Sequence, residues 1–257
     1  MAKKNIFDLS GKVAIVTGAS SGLGVQMAKA LARQGANIAI LARRKEKLET
    51  VAEEIRALGV KCLEVPCDVT STEAIKSAAE AIKAEYGRAD ILINNAGSGH
   101  VGPAVETADE DWNFNVDLDL TAVFKMCREF AKIMMENNYG RIINISSMYG
   151  LVGNMALPSA AYHAAKGGVI NLTRALAAEW ANDGITVNCI CPGYFATELT
   201  IDTLNTDDFK TYMKSTVPLG RYCVEGELDT TAVYLATEAS SYVTGVIIPV
   251  DGGYTCI

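Results

Sequence analysis

The chain has 257 residues, of which 49% are hydrophobic and 21% charged, so it has enough apolar material for a large core and no compositional signature of disorder. Its formal net charge is −7, without a long run of Lys or Arg or an apolar segment long enough to cross a bilayer, which argues against nucleic-acid and membrane partners. The seven cysteines include no C-x-x-C pair and are typical of reduced thiols, so we expect a cytoplasmic protein with no metal site.

Short β-branched segments alternate along the chain with longer segments of helical period. The predicted strands are Val13–Thr17, Asn37–Leu41, Val60–Val65, Asp90–Asn94, Arg141–Ser146, Thr186–Ile190 and Val246–Val250. The predicted helices are Leu23–Gln34, Glu46–Leu58, Glu73–Tyr86, Asp109–Glu136, Ala160–Ala181 and Glu225–Thr237. This alternation predicts an α/β fold of the Rossmann type, a single domain over residues 1–257 with a doubly wound, seven-stranded parallel sheet and helices on both faces. Ligands of such sheets bind outside the carboxyl ends of the strands, so functional residues should follow the strands.

The first strand leads into a glycine-rich turn, Thr17-Gly18-Ala19-Ser20-Ser21-Gly22-Leu23-Gly24, that opens the first helix. Glycines at this place let the backbone approach a pyrophosphate, and the helix N-terminus offers unpaired N–H groups and the positive end of its dipole. A plain tight turn between strand and helix is the simpler alternative. We predict a phosphate-binding turn made by Gly18, Ser20, Ser21, Gly22, Leu23 and Gly24.

Two arginines follow the second strand. Arg43 lies 19 residues after Gly24, near the place where a site for NAD has an acidic residue that binds the ribose 2′-hydroxyl. A guanidinium group suits a 2′-phosphate there, whereas a carboxylate would repel it. Arg43, assisted by Arg44, therefore favours NADP over NAD, although the same basic stretch is also ordinary for an exposed first turn of a helix.

Later strands also end in polar or glycine-rich segments. Because the carboxyl ends of parallel strands meet at one edge of the sheet, we expect these segments to line the cofactor site together. The residues concerned are Asp68, Val69, Asn95, Ala96, Gly97, Pro192, Gly193, Phe195 and Thr197.

The centre of the predicted chemistry is Tyr162-His163-Ala164-Ala165-Lys166 on a helix. Residues four apart share a helix face, so the Lys166 ammonium can lie beside the Tyr162 phenol. A free phenol has a pKa of about 10, and a nearby ammonium group favours the phenolate and makes the phenol a better acid-base group. The hydroxyl of Ser147 could donate a hydrogen bond to the same substrate oxygen.

Five motifs in this order resemble the short-chain dehydrogenase/reductase family over essentially the whole chain. They are the T-G-x-x-x-G-x-G turn at Thr17, N-N-A-G at Asn94, a serine after the fifth strand, Y-x-x-x-K at Tyr162 and P-G-x-x-x-T at Pro192. The resemblance implies hydride transfer between a nicotinamide and a carbinol or carbonyl carbon, with Ser147, Tyr162 and Lys166 as the active residues. It also implies that Tyr162 and Lys166 bind the nicotinamide ribose and that the protein is a homotetramer.

Two features depart from the family's pattern. Its members usually have an asparagine seven residues after a tryptophan, holding a water of the proton relay, and counting from Trp112 leads to Asp119. Because the family residue is understood to hold that water through its backbone carbonyl, Asp119 is a candidate for the same role. Ser147 also precedes Tyr162 by 15 residues, two more than usual, so Ser146 remains an alternative catalytic hydroxyl and Asn154–Pro158 should reshape the substrate wall.

Other features concern the substrate side of the site. Residues 198–222 have weak periodicity and follow the P-G motif, which predicts a substrate lid. His100, in the loop after N-N-A-G, is a candidate for lining the substrate pocket. His163 turns about 100° away from Tyr162 on a helix, so we expect it to pack rather than to act in catalysis.

The substrate class stays open between three alternatives. The sequences at Asn5–Lys12 and Ser240–Gly245 are similar to the gluconate 5-dehydrogenase-like branch, which also includes bacterial hydroxysteroid dehydrogenases. A sugar acid or polyol is the first expectation, with Lys210, Lys214 and Arg221 as available partners. The other two alternatives are a 3-oxoacyl thioester and a steroid. A steroid would contact the apolar residues Met148, Leu151, Val152, Met155 and Leu157.

Two further classes of protein compete with this interpretation. A serine hydrolase is suggested by G-x-S-x-G at Gly18–Gly22, but that nucleophile turn normally follows several strands and the Tyr162–Lys166 pair would have no role. An inactive nucleotide-binding protein is suggested by Asp119 and opposed by the intact serine, tyrosine and lysine.

Overall fold

The computed structural model describes residues 5–99, 101–155, 157–198 and 200–257. Its strands are β1 (Val13–Thr17), β2 (Asn37–Ala42), β3 (Cys62–Pro66), β4 (Ile91–Asn94), β5 (Gly140–Ile145), β6 (Ile185–Pro192) and β7 (Ile247–Val250). They form one seven-stranded sheet in the order β3-β2-β1-β4-β5-β6-β7, and every neighbouring pair is parallel. The predicted doubly wound fold is confirmed. The strand order changes direction between β1 and β4, so the crevice at the carboxyl ends opens there.

The helices that cover the sheet are bounded as follows: α1 (Gly22–Arg33), α2 (Lys45–Arg56), α3 (Thr72–Tyr86), α4 (Asp109–Val116), α5 (Ala122–Glu136), α6 (Ala160–Trp180), α7 (Ile201–Leu204), α8 (Asp207–Thr216) and α9 (Asp229–Ala236). In the described part of the chain, no helix combines the length and the apolar composition that crossing a bilayer requires.

Two buried apolar clusters lie on opposite faces of the sheet. Val13 and Ile15 of β1 pack with α3, α5 and α6, whereas Ala14 and Val16 of the same strand pack with α1, α2 and α9. Successive side chains of a strand point to opposite faces, so a sheet covered on both sides needs apolar residues at every position. This is why the strands are continuous apolar runs in the sequence.

Two segments differ from the sequence prediction. The helix expected over Asp109–Glu136 is interrupted by a π-helical turn, Asp117–Thr121, between α4 and α5. This wider turn coincides with the full burial of the Asp119 side chain, and such turns are frequent at functional sites. The segment predicted as a lid contains α7 and α8, where the mixture of polar and apolar residues gave only weak helical periodicity.

A buried chain of polar side chains ties together the elements that carry the site. The Asn94 amide at the end of β4 donates to the Asn144 side-chain oxygen on β5 at 2.9 Å. The Asn144 amide donates in turn to the Thr173 hydroxyl on α6 at 3.0 Å. Because these groups lie in an apolar core, each depends on its partner for a hydrogen bond, and the chain fixes β4, β5 and α6 relative to one another.

Replacing the central residue of this chain should destabilise the fold. Asn144→Leu leaves the Asn94 amide and the Thr173 hydroxyl each without one buried partner, so we expect the free energy of unfolding to fall by about 2–3 kcal/mol. Urea titration at fixed protein concentration measures it. The exposed Asn182 is the matched control, and Asn182→Leu should change stability by no more than about 0.5 kcal/mol. Equal effects of the two substitutions would contradict this role of Asn144.

Candidate active site

The glycine-rich turn after β1 is shaped for a ligand that needs close backbone approach. Gly18 and Gly22 have φ values of +65° and +59°, a region that favours glycine. A Cβ on Gly24 would lie 2.5 Å from the Gly18 carbonyl oxygen and 2.7 Å from the Asn95 amide nitrogen. The turn therefore packs directly on the segment after β4, and neither Gly18 nor Gly24 can carry a side chain without a shift of the backbone.

The helix that follows this turn has an open N-terminus. Ser21 precedes α1 without making a side-chain capping hydrogen bond, and the first turn of α1 holds no acidic residue. Its first N–H groups and the positive end of the helix dipole are thus available to an anion. A cleft of about 450 Å³ lies beside this end, between Ser20–Gly22 and Ala196–Glu198. These features fit the pyrophosphate of a dinucleotide.

The two arginines after β2 have different surroundings. The Arg44 guanidinium donates to the Ser20 hydroxyl at 3.0 Å and to the Ser21 hydroxyl at 2.8 Å. Arg43 is exposed, and its charge is a minor cause of the lowered pKa of Asp68, which comes chiefly from hydrogen bonds donated by the Thr70 backbone and hydroxyl. Arg44, which the sequence analysis gave only an assisting role, is therefore the arginine that contacts the glycine-rich turn.

The segments after the later strands meet at this same edge, as predicted. Asn95 donates from its side chain to the Thr17 carbonyl at 3.1 Å, which holds the segment 95–97 against the glycine-rich turn. A Cβ on Gly22 would lie 3.3 Å from the Thr197 side chain, so the segment after β6 closes the other side. A Cβ on Gly193 would lie 2.6 Å from the Cα of Asp251, so this glycine packs directly on the backbone of Asp251. The Phe195 side chain is buried.

The two serines after β5 have different partners. The Ser146 hydroxyl donates to the backbone carbonyl of Lys166 at 2.8 Å. Ser147 precedes a short 3-10 turn, Met148–Gly150, and its hydroxyl oxygen accepts the Tyr149 N–H at 3.1 Å. The Ser146 proton is thus engaged with α6, whereas the Ser147 hydroxyl, in this contact, remains able to donate.

Tyr162 and Lys166 lie one turn apart on α6. The Lys166 Nζ is 5.5 Å from the centroid of the Tyr162 ring and donates to the Ile145 carbonyl at 3.1 Å. The Tyr162 ring packs on the backbone of Gly99, where a Cβ would come within 2.9 Å of the ring. The ring is therefore held between α6 and the segment that follows β4.

Asp119 forms an ion pair with Lys166 deep in the protein. Its Oδ1 lies 3.1 Å from Lys166 Nζ and accepts the Ser98 N–H at 3.2 Å, and the two charged side chains are 0% and 4% exposed. Its other oxygen has no hydrogen-bond partner among the described residues. The sequence pointed to the backbone carbonyl of Asp119, but the contact that the structure provides is made by the carboxylate.

Burial and pairing act in opposite directions on these two groups. Burial raises the pKa of Asp119, and the nearby Lys166 ammonium only partly offsets this. For Lys166, burial lowers the pKa, but the combined fields of Asp119 and Tyr162 outweigh burial and the net pKa is raised. The ammonium group is therefore kept charged beside the phenol.

An aromatic cluster that no sequence motif predicts lies next to Ser147 and Tyr162. Tyr149 stacks on His163 at 4.8 Å between ring centroids, and its hydroxyl lies 2.6 Å from the Tyr194 hydroxyl. Phe209 and Tyr254 meet the Tyr194 ring edge-on at 5.0 and 5.9 Å. Burial raises the pKa of Tyr149 to about 12. The position of Tyr194 directly after Pro192-Gly193 was the one available signal.

Of the two histidines of the chain, the structure describes His163. His163 packs on Tyr149, and its Nδ1 lies 2.8 Å from the Ser159 carbonyl, in agreement with the expectation that it packs. His100 lies outside the described residues. Within the described ranges, no group of three or more His, Cys, Asp or Glu side chains is arranged to hold a metal ion.

Comparison with known proteins gives one consistent family. A family model described as enoyl-(acyl carrier protein) reductase matches residues 18–255. The chain is 38% identical to gluconate 5-dehydrogenase of Gluconobacter oxydans and 38% identical to galactitol 2-dehydrogenase (L-tagatose-forming) of Cereibacter sphaeroides, each over 99% of both chains. The crystal structure of a gluconate 5-dehydrogenase from Burkholderia cenocepacia in complex with NADP and tartrate superimposes with a TM-score of 0.93, 34% identity and 98% coverage of both chains.

Because Asp119 and Lys166 are paired in a buried place, removing one of them should leave the other as a destabilising charge. Lys166→Met leaves a buried carboxylate unpaired, so we expect a loss of about 3 kcal/mol in the free energy of unfolding at neutral pH. The loss should shrink as the pH falls, because burial already raises the pKa of Asp119 and protonation removes the unpaired charge. Urea titrations across pH measure both effects.

The double-mutant cycle gives the control for this experiment. In an Asp119→Asn background, Lys166→Met should cost less than half as much, since no carboxylate is left unpaired. Additive losses from the two substitutions would show that the side chains do not interact.

Proposed function

The chain belongs to the short-chain dehydrogenase/reductase family, and we propose that it transfers a hydride between NADP(H) and the secondary alcohol or ketone of a sugar acid or polyol. The observation that carries this proposal is that Ser147 lies just after β5, Lys166 of α6 donates to the Ile145 carbonyl at the end of β5, and Tyr162 packs on Gly99 after β4. They lie at the same edge of the sheet as the glycine-rich turn.

In this proposal Tyr162 is the acid-base group. Its phenol donates a proton to the carbonyl oxygen during reduction and accepts one from the alcohol during oxidation. The Ser147 hydroxyl donates a hydrogen bond to the same oxygen and stabilises the charge that develops on it. Lys166 holds its ammonium group 5.5 Å from the centroid of the phenol ring. The nicotinamide, when bound, supplies or accepts the hydride.

The proposed cofactor site follows the geometry of the turn. Gly18, Gly22 and Gly24 leave room for the pyrophosphate at the start of α1, and Ser20 and Ser21 contribute hydroxyls. Arg44 is placed to bind a 2′-phosphate, with Arg43 in a secondary role. The remaining members of the site are those that close it from the neighbouring strand ends: Leu23, Asp68, Val69, Asn95, Ala96, Gly97, Pro192, Gly193, Phe195 and Thr197.

The substrate side supports a hydroxylated substrate. The cluster next to Ser147 presents the paired hydroxyls of Tyr149 and Tyr194 together with aromatic faces. Phenol groups of this kind donate and accept hydrogen bonds, while their faces contact the apolar side of a sugar. Arg221 was an expected partner for the carboxylate of a sugar acid. Its guanidinium instead donates two hydrogen bonds of 2.7 Å to Glu227. A polyol or the hydroxylated part of a sugar acid is thus the better-supported ligand.

Residues 198–222 act as the substrate lid in this proposal. Phe209 and Tyr212 of α8 pack on Tyr194, and the Tyr212 hydroxyl lies 3.4 Å from that of Tyr254. The lid is therefore docked by aromatic contacts next to the substrate. Opening it would expose these rings.

We also propose a cytoplasmic homotetramer. The exposed aromatic residues Trp112, Phe114 and Phe124 on α4 and α5 support burial of this face by further copies of the chain. All seven cysteines are free thiols, in agreement with a reducing compartment.

A steroid and a 3-oxoacyl thioester are the competing substrates. The family model's description favours an acyl thioester. Met155 and Leu151 are exposed at 104% and 38%, which supports an apolar ligand near the residues of the expected insertion. Each alternative keeps the same cofactor and the same acid-base group.

Consumption of NADPH with a panel of carbonyl substrates tests this function. Keto-sugar acids and ketoses should be reduced faster than a ketosteroid or a 3-oxoacyl thioester. Ser147→Ala should lower kcat by about a hundredfold or more, because it removes a hydrogen bond to the developing oxyanion. Ser146→Ala is the matched control and should retain most of the activity, since its hydroxyl is engaged with the α6 backbone.

Three outcomes are informative. Faster turnover of a steroid or thioester would overturn the substrate class but not the reaction. Equal losses in both serine variants would contradict the role of Ser147. Absence of turnover with every member of the panel would contradict the proposed function.

A further inference from the structure

Glu198 lies within the group of residues proposed to bind the 2′-phosphate. It follows Thr197 at the end of the segment after β6 and reaches across to the start of α2. Its Oε2 is 3.4 Å from Arg44 Nη1, and its Oε1 is 2.6 Å from Lys47 Nζ. One carboxylate is therefore held between a guanidinium and an ammonium group.

The same guanidinium is also bound to the glycine-rich turn. Arg44 donates to both Ser20 and Ser21 while it contacts Glu198. The hydrogen bond from Lys47 is the first cause of the lowered pKa of Glu198, so the group is a carboxylate at neutral pH. A guanidinium and an ammonium thus converge on a place that already contains an anion, beside the two hydroxyls that Arg44 contacts.

A phosphate would need these same partners. Arg and Lys side chains with hydroxyl groups are the usual ligands of a phosphate dianion, which offers more acceptor oxygens than a carboxylate. Arg44, directly before α2, and Lys47 in its first turn both contact the Glu198 carboxylate, so their charges meet at the same place. The anion of the protein itself therefore occupies the contacts that a 2′-phosphate would require.

The carboxylate is held weakly enough to be displaced. The side chains of Glu198, Arg44 and Lys47 are 51%, 46% and 44% exposed, and ion pairs between half-exposed groups contribute little to stability. Helix α7 begins at Ile201, three residues after Glu198, so a displaced carboxylate would also change the start of the lid.

We propose that Glu198 is a specificity-determining residue that occupies the Arg44–Lys47 cation pair until the 2′-phosphate of NADP(H) displaces it. This inference rests on the proposed use of NADP(H). Displacement of the Glu198 carboxylate links the lid to a cofactor that carries a 2′-phosphate. NAD(H) lacks this phosphate and has no group that competes with Glu198. The Glu198 carboxylate thus lowers the affinity for NADP(H) and leaves the affinity for NAD(H) unchanged.

Fluorescence titration with NADPH and with NADH tests the competition. Glu198→Gln should tighten NADPH binding by about fivefold, the effect of removing one half-exposed ionic competitor, and should change the Kd for NADH by less than about twofold. Glu54→Gln is the matched control, because Glu54 is also half-exposed, at 50%, and pairs with Lys29 at 2.6 Å without lining this cleft. It should leave both affinities unchanged. Arg44→Ala should weaken NADPH binding. In the Arg44→Ala background, Glu198→Gln should no longer change the affinity for NADPH.

Deuterium exchange supplies a second readout that does not depend on turnover. NADPH should change the exchange of the amides of α7 in the native protein, and NADH should not. In Glu198→Gln the amides of α7 should already exchange as they do in the NADPH complex.

The outcomes separate this inference from the proposed function. A native protein that binds neither nucleotide would contradict the proposed function itself. A native preference for NADPH that Glu198→Gln leaves unchanged would overturn only the competition. Weaker NADPH binding by Glu198→Gln would mean that Glu198 supports the phosphate site, and would overturn it as well.

Discussion

The ammonium group of Lys166 lies in a part of the protein where only 4% of its side chain is exposed, and a buried charge must be compensated by its neighbours. Its compensation comes from the Ile145 carbonyl at the end of β5 and from Asp119 in the π-helical turn. Asp119 is fixed in turn by the Ser98 N–H after β4. One buried charge thus joins α6, β5, the π-helical turn and the segment that follows β4, and Tyr162 stands next to it.

The same arrangement explains why the site can be both rigid and open. The chain of hydrogen bonds through Asn94, Asn144 and Thr173 fixes the elements beneath the site, and all three residues are buried. Above it, the cofactor cleft is bounded by half-exposed ion pairs at Glu198 and by the aromatic contacts of α8. The proposed catalytic end therefore rests on buried interactions that are costly to break, and the proposed cofactor cleft and lid rest on weak ones that a ligand can replace.

Much of the fold and the position of the site could be predicted from the sequence, because a parallel sheet buried on both faces imposes continuous apolar strands that alternate with helices. The residues that follow each strand then have to meet at one edge, which placed the glycine-rich turn, Asn95 and Ser147 together, whereas Lys166 was predicted from its spacing to Tyr162 on a helix. Side-chain direction was less accessible. The sequence favoured Arg43 as the first residue after β2, whereas the path of the chain into α2 turns Arg44 towards the glycine-rich turn. Two serines in succession gave no indication of which hydroxyl bonds to α6. Asp119, which pairs with Lys166, lies in a π-helical turn, and hydrophobic periodicity does not predict such a turn.

Tyr162 is the proposed proton-transfer group, whereas most of the proposed contacts with the cofactor lie elsewhere, at the glycine-rich turn and Arg44. The most direct measurement is the rate of NADPH oxidation by Tyr162→Phe with a substrate that the native protein reduces, together with its Kd for NADPH. We expect a fall in kcat of at least about a hundredfold, with the Kd within a few-fold of the native value, because the phenylalanine keeps the packing on Gly99 and loses only the phenol hydroxyl. Turnover close to that of the native protein would contradict this role of Tyr162.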